Sequence, residues 1–298
     1  MGALPAPLFL VVGTVGLSLA APATAAVVEL RPTTNWAVDY ADDSCALYRS
    51  FGHEGRTITM EMRQFSPDHE ALQFIVKSDS FQVPQGWYYR QRTVRFAPVE
   101  QDYFLGDMID MRFPDGDQGA TFSVDFSGDG GDPAAVSAGA ARPADIRSRL
   151  AATTAMELSN VFSREVALRT GSLAAPLAAL GTCLEELQLH WGIDVEAHRT
   201  LSRRVVPRDM EIWSREIQES YSRWQTRLGR QAIMRIRLAV STEGRASECH
   251  VQARLGNEDF ERMACEILLR SAVFEPALDA QGEPLASYYI LAVHYRLG

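Results

Sequence analysis

"AIMRIRLAVSTEGRASECHVQARL", Ala232 to Leu255, holds two alternating runs hinged on a turn. In the first, Met234, Ile236, Leu238 and Val240 fall on one face, and Arg235, Arg237 and Ala239 on the other. Side chains alternate across a strand, so this run is a strand with one face in a core. "STEGR" is a tight turn in which Gly244 is free to take positive φ. In the second run Cys249, Val251, Ala253 and Leu255 share a face, and His250, Gln252 and Arg254 share the opposite one. Two antiparallel strands with one apolar face need another layer to cover it.

That layer follows directly. Asn257 is placed to cap a helix over "EDFERMACEILLRSA", whose apolar stripe is Phe260, Met263, Ala264, Ile267 and Leu268. The connector "FEPALDAQGEPL", Phe274 to Leu285, is expected to drop the Phe274 ring under the helix C-terminus. Pro276 would stop the helix, Gly282 relieve the turn, and Pro284 stiffen entry to the last strand. "SYYILAVHYRL" then puts Tyr289, Leu291, Val293 and Tyr295 on one face and leaves Tyr288, Ile290, Ala292 and His294 off it. Of the pair Tyr288 and Tyr289, one is read as core and one as surface. The order is β-β-α-β, one helix covering one face of a three-stranded sheet.

Upstream, "MEIWSREIQESYSRWQTRLG" reads as one helix closed by Gly229, with Trp213, Ile217 and Trp224 on a broad face. It follows a polar connector, "VEAHRTLSRRVVPRD". Further back the chain is rich in short strands. "RTITMEMRQF" sets Ile58, Met60 and Met62 against Thr57, Thr59, Glu61 and Arg63, the pattern of a half-buried antiparallel strand. "ALQFIVKS", "TVRFAPV" and "ATFSVDFSG" are similar, with turn-forming breakers between them. In "APLAALGTCLEELQLHWGID" the leucines 177, 180, 184 and 187 make a core-facing stripe beside Cys183, and Gly192 is the stop. The fold class is α+β. A β-rich module with one or two helices spans 27–194, a linker and helix 195–229, and the β-β-α-β domain 230–298.

The chain has 298 residues, enough for two domains with their own cores. Apolar residues are 46% and charged residues 22%, a globular balance. A net charge of −9 argues against nucleic acid as a partner, since a phosphate backbone calls for clustered Lys and Arg. Leu8 to Ala20 is an apolar run followed by the small-residue site "ATAA", Ala23–Ala26. This pattern reads as an export signal over 1–26, cleaved to release the chain into the periplasm. No Lys or Arg precedes the run, and an uncleaved inner-membrane anchor is the alternative.

The residues from "LAVSTEGRASECHV" through "DFERMACEILLRSAVFEPALDAQGEPL" and the closing aromatic strand resemble the C-terminal domain of the TonB energy-transducer family. "WAVDYADDSCALYRSFG" at Trp36–Gly52 and "LRTGSLAAPLAALGTCLEELQLHWGID" at Leu168–Asp194 resemble a module that precedes this domain in some members. The resemblance implies a β-augmenting, protein-binding domain. Its last strand, Ser287, Tyr288, Tyr289, Ile290, Leu291, Ala292, Val293, His294, Tyr295 and Arg296, is the implied edge that pairs with an extended segment of an outer-membrane receptor. The chain departs from the family's transducers in lacking a long Pro-rich spacer; its 14 prolines are scattered. The expected function is therefore a protein-binding component of TonB-dependent outer-membrane transport. The alternative is a soluble envelope module, binding another envelope protein or peptidoglycan without energy transduction.

Four cysteines behind an export signal point to disulfides. Cys249 on its strand and Cys265 on the covering helix are expected to join, leaving Cys45 to join Cys183; buried free thiols are the alternative. The six histidines show no metal-binding spacing. "DGDQG" and "GDGGD" lack an EF-hand register and read as solvated turns. No nucleophile motif or phosphate-binding glycine loop is present, so neither an enzyme activity nor a cofactor or metal is expected.

Overall fold

The structure, a computed structural model, describes Gly2 and residues 27–67, 71–84, 91–105, 108–126, 148, 150–230, 232–256 and 259–295. The export segment, most of the stretch 127–149, Asn257 and Arg296 lie outside the described residues.

Strong alternation in the first half produces one large sheet. Its strands are β1 (Val28–Pro32), β2 (Ala37–Ala41), β3 (Ser44–His53), β4 (Arg56–Gln64), β5 (Ala71–Ser78), β6 (Thr93–Ala97), β7 (Asp102–Phe104), β8 (Ile109–Arg112), β9 (Gln118–Asp125), β10 (Ala155–Ser159) and β11 (Val166–Leu168). They run in the order β7-β6-β10-β11-β1-β3-β4-β5-β9-β8, with β2 added beside β3. The pair β1 and β11 is parallel. The sheet curls until its two ends meet: Arg92, beside β6, donates to Asp110 of β8 at 2.8 Å, and Phe96 packs on Phe74 across the core. Ile58, Met60 and Met62 are buried as their alternation requires.

Helix α1 (Ala174–His190) lies on β2 and β3 and buries Leu177, Leu180, Cys183, Leu184 and Leu187. Cys183 bonds Cys45 of β3, with 6.1 Å between Cα atoms. Gly192 ends the helix in the left-handed region, φ 73°. The Gly192 and Ile193 amides donate back to Leu189 and Gln188, so two carbonyls of the last turn are satisfied. The short helix α2 (Val195–Arg199) follows, capped by the Asp194 side chain.

The second core is built from β12 (Val206–Arg208), α3 (Met210–Ser220), α4 (Arg223–Arg227), β13 (Ala232–Val240), β14 (Ala246–Gly256), α5 (Asp259–Ser271), β15 (Val273–Glu275), β16 (Ala277–Leu278), β17 (Pro284–Leu285) and β18 (Ser287–Tyr295). The sheet order is β14-β13-β18, with β13 central. Two helices cover the apolar face, not one. α3 packs beside α5 and adds Trp213 and Ile217 to the core, so the helix read between the two domains helps bury it.

Three local readings are corrected. The helix expected over 210–229 breaks at Tyr221. Ser222 starts a new helix with a capping box to Gln225, which competes with continuing the old one. The break turns Trp224 out to solvent, at 65% exposure, while Tyr221 packs on Phe260 and Tyr295. In β14, Gln252 and Ser247 are extra residues facing β13, that is, β-bulges. The bulge at Gln252 flips the alternation beyond it, so Arg254 pairs with Glu261 of α5 and Leu255 is exposed. In the connector, α5 stops at Ser271, well before Pro276. Phe274 sits in β15, which pairs antiparallel with β12. Its ring is buried and packs 5.2 Å from Tyr289, centroid to centroid.

Candidate functional site

β18 pairs with β13 through all 9 of its residues, from Ser287 opposite Val240 to Tyr295 opposite Ala232, with no bulge. No other described strand pairs with it. The direction of its backbone groups follows from the hairpin next door. The Ser241 amide donates to the Arg245 carbonyl, so Ser241 points toward β14. Backbone direction alternates along a strand, so Val240, Leu238, Ile236, Met234 and Ala232 point toward β18. Their partners Ser287, Tyr289, Leu291, Val293 and Tyr295 point back at β13. The backbone N–H and C=O groups of Tyr288, Ile290, Ala292 and His294 therefore face away from the sheet.

The sheet has a second edge, β14, but its two bulges interrupt the spacing that an added strand needs. β18 is the regular edge. Along it, Ser287, Tyr288, Val293 and Tyr295 are buried, Tyr289, Ile290, Leu291 and His294 are half-buried, and Ala292 is exposed. Val293 and Tyr295 sit in the helix-side core; Tyr295 stacks on Phe260 at 4.4 Å and shares a hydrogen bond with Ser220. Cys249 and Cys265 join β14 to α5 with 5.6 Å between Cα atoms, on the far side of the sheet from β18.

Tyr288 is not the surface residue that alternation suggested. The helix-free face of the small sheet is docked on the first module. The Tyr288 hydroxyl accepts a hydrogen bond from Gln188 of α1 at 2.8 Å, and its ring meets Trp191 edge-on at 5.4 Å. Arg237 lies 4.2 Å over the Trp191 ring and 3.9 Å from Asp43. Arg235 lies 4.7 Å over Phe65. Gln252, the bulge residue, donates to the carbonyls of Asp43 and Phe65 at 3.0 and 3.2 Å.

Loss of water pushes the Arg235 guanidinium down to about 10, and burial lowers Arg237 too, partly offset by the Asp43 carboxylate. The Arg237 Nε, Trp191 Nε1 and Gln252 Oε1 atoms are buried with no hydrogen-bond partner among the described residues. The contact is thus polar and incompletely satisfied. None of Gln188, Trp191 or His198 was singled out from the sequence as touching β18. The only hint was two arginines on one face of β13, a face too charged for a core and too regular for a loop.

Among the described residues no helix is long and apolar enough to cross a membrane, and no group of His, Cys, Asp and Glu is arranged to hold a metal ion. Residues 218–297 match the family model described as Gram-negative bacterial TonB protein C-terminal. No curated protein and no solved structure matches the chain.

Proposed function

Residues 218–297 form a TonB-family C-terminal domain, and from that premise we propose that the chain is a periplasmic protein-binding component of TonB-dependent outer-membrane transport. It is exported by the segment 1–26 and acts by binding, not by catalysis. The partner is an outer-membrane receptor or another envelope protein that offers a short extended segment. The segment adds to β18, its backbone bonding Ile290 and Ala292, with side-chain contacts giving selectivity. The regular, outward-facing edge of β18 carries this reading.

Docking of the first module on the sheet favours a second reading, a soluble envelope module that holds its partner without transducing energy. A domain that must swing at the end of a spacer has no need of such a fixed neighbour.

Titration of receptor-derived extended peptides against proline variants is the test. Ala292→Pro removes an outward N–H, so the protein is expected to keep its circular dichroism spectrum and lose peptide binding. Leu291→Pro removes an N–H aimed at Ile236 and is expected to unfold the domain. Unchanged binding by a folded Ala292→Pro variant would exclude this edge. Binding by none of the peptides to wild type would leave the envelope-module reading.

A further inference from the structure

The first module holds a cleft of about 440 Å³ between β1, β3 and the chain just past β11. That volume falls among ligand pockets, which run from roughly 300 to 1,000 Å³. Its charged lining is Glu29 and Arg31 of β1, Arg49 of β3, and Arg169. Register explains why these arginines meet. Leu30 stands beside Leu168 in the parallel pair of β1 and β11, so Arg31 and Arg169, one step on, emerge together. The two chains then part. Arg31 and Pro32 pair with β3, while Thr170 and Gly171 lead toward α1. Arg49 reaches from β3 to both branches, donating to the Thr34 carbonyl at 3.0 Å and the Thr170 carbonyl at 2.8 Å.

The charges in the cleft do not balance. Glu29 is the ion-pair partner of Arg169. Among the described residues, neither Arg31 nor Arg49 has a carboxylate within ion-pair distance. The charge of Arg31 still reaches the same spot: the Glu29 carboxyl is held below its ordinary range mainly by its bond to Arg169, with Arg31 adding to the pull. Arg49 is half-buried, its Cζ 5.4 Å from the centre of the Trp36 ring. Loss of water lowers its guanidinium from the ordinary value, and no carboxylate offsets that loss. Its Nε and one terminal nitrogen are spent on the two carbonyls. The other terminal nitrogen has no hydrogen-bond partner among the described residues, although a guanidinium carries five N–H donors. Neighbouring like charges repel, and a half-buried cation without a counter-ion is costly. An anion in the cleft relieves both.

We infer that this cleft is a binding site for a monocarboxylate, held by Arg49 and Arg31. The planar fork of a guanidinium matches the two oxygens of a carboxylate. Glu29 sets the limit on charge, because its own carboxylate repels a dianion such as phosphate more than a single negative charge. Pro32 supplies an apolar wall for the carbon body of the ligand. Arg31, Pro32 and Arg169 are exposed, so the cleft opens to solvent. It therefore admits the carboxylate of a free small acid or of a peptide chain end. The site is separate from strand addition at β18, and neither reading needs the other.

The full chain is titrated by calorimetry with isobutyrate, with acetyl-alanyl-alanine, with the C-terminal amide of that peptide, and with inorganic phosphate. A carboxylate probe is expected to bind and the amide is not, since the amide lacks the charge and donates where the site donates. Tighter binding of the peptide than of isobutyrate assigns the site to a chain end, and the reverse assigns it to a free acid. Arg31→Gln is expected to weaken binding about tenfold with an unchanged melting temperature. Glu29→Gln is expected to tighten binding about threefold, a gain that a damaged fold does not produce. Arg49→Lys keeps the charge but loses the fork, and is expected to weaken binding at least about tenfold. If that variant fails to fold, the Arg31 and Glu29 variants decide. Equal affinity for the peptide and its amide, or binding of neither carboxylate, overturns the site. Tighter binding of phosphate than of either carboxylate overturns the monocarboxylate class. Unchanged affinity in both Arg31→Gln and Glu29→Gln shows that the carboxylate binds elsewhere, which also overturns the inference.

Discussion

Phe274 is held from two directions, by its ring and by its backbone. The ring fills the second core at 2% exposure, and the amide donates to the Gly244 carbonyl at 2.9 Å. Phe274→Ala is expected to cost about 3–5 kcal/mol in chemical denaturation, the range for a buried aromatic. A loss near zero would mean that the ring carries no packing load. Gly244 is the other half of the joint. Its φ is 73°, and a Cβ there would fall 2.0 Å from the Phe274 carbonyl oxygen. Gly244→Ala is therefore expected to cost at least about 1–3 kcal/mol by the same measurement, because the backbone would be strained and the connector pushed away. Full retention of stability would show that the hairpin tip moves freely off the connector. The need for Gly244 in a turn was legible from "STEGR". Its closeness to Phe274 was not, since the two are brought together only by the folded chain.

At the scale of elements, periodicity named β13, β18, α1 and α5 correctly and failed at interruptions. A capping box hides inside a run of helix-forming residues, and a bulge adds one residue to a strand that otherwise alternates. Both are decided by what the neighbouring element accepts. β14 follows β13 only by accommodating extra residues at Ser247 and Gln252, and Gln252 then reaches the first module. The clasp between β14 and α5 closes over a sequence separation of 16 residues. Replacing both Cys249 and Cys265 by Ser is expected to lower stability by about 3 kcal/mol, measured by denaturant titration. An unaltered midpoint would mean that packing of Phe260 and Ala264 alone holds the helix to the sheet.

For the whole molecule, the contact between modules is the feature with least precedent in the sequence. It buries Arg237 against Trp191, and the carboxylates of Asp43, 3.9 Å away, and Glu248 offset the loss of water only in part. A buried ion with poor compensation contributes little net stability, and apolar replacements of such groups are often neutral or better. Arg237→Met is thus expected to change stability by less than about 1 kcal/mol while preserving the Tyr288 contact, checked by thermal denaturation and hydroxyl-radical labelling of Tyr288. A loss of several kcal/mol would show instead that the Arg237 and Asp43 pair binds the modules together.

The order of strands and helices, the cores and the turn glycines were written locally, because burial and backbone geometry impose short periods that survive in a linear chain. The candidate edge was legible only through likeness to a family; nothing in "SYYILAVHY" by itself separates an edge strand from a central one. Tertiary structure decided that β18 is the regular edge and β14 the interrupted one, that the charged face of the sheet is docked and not solvated, and that His198 stands beside Ser287. Those facts depend on pairings between residues far apart in the chain, such as Gln188 with Tyr288. Side-chain chemistry at each position permits such pairings but does not select them; selection comes from the one arrangement in which both cores close together.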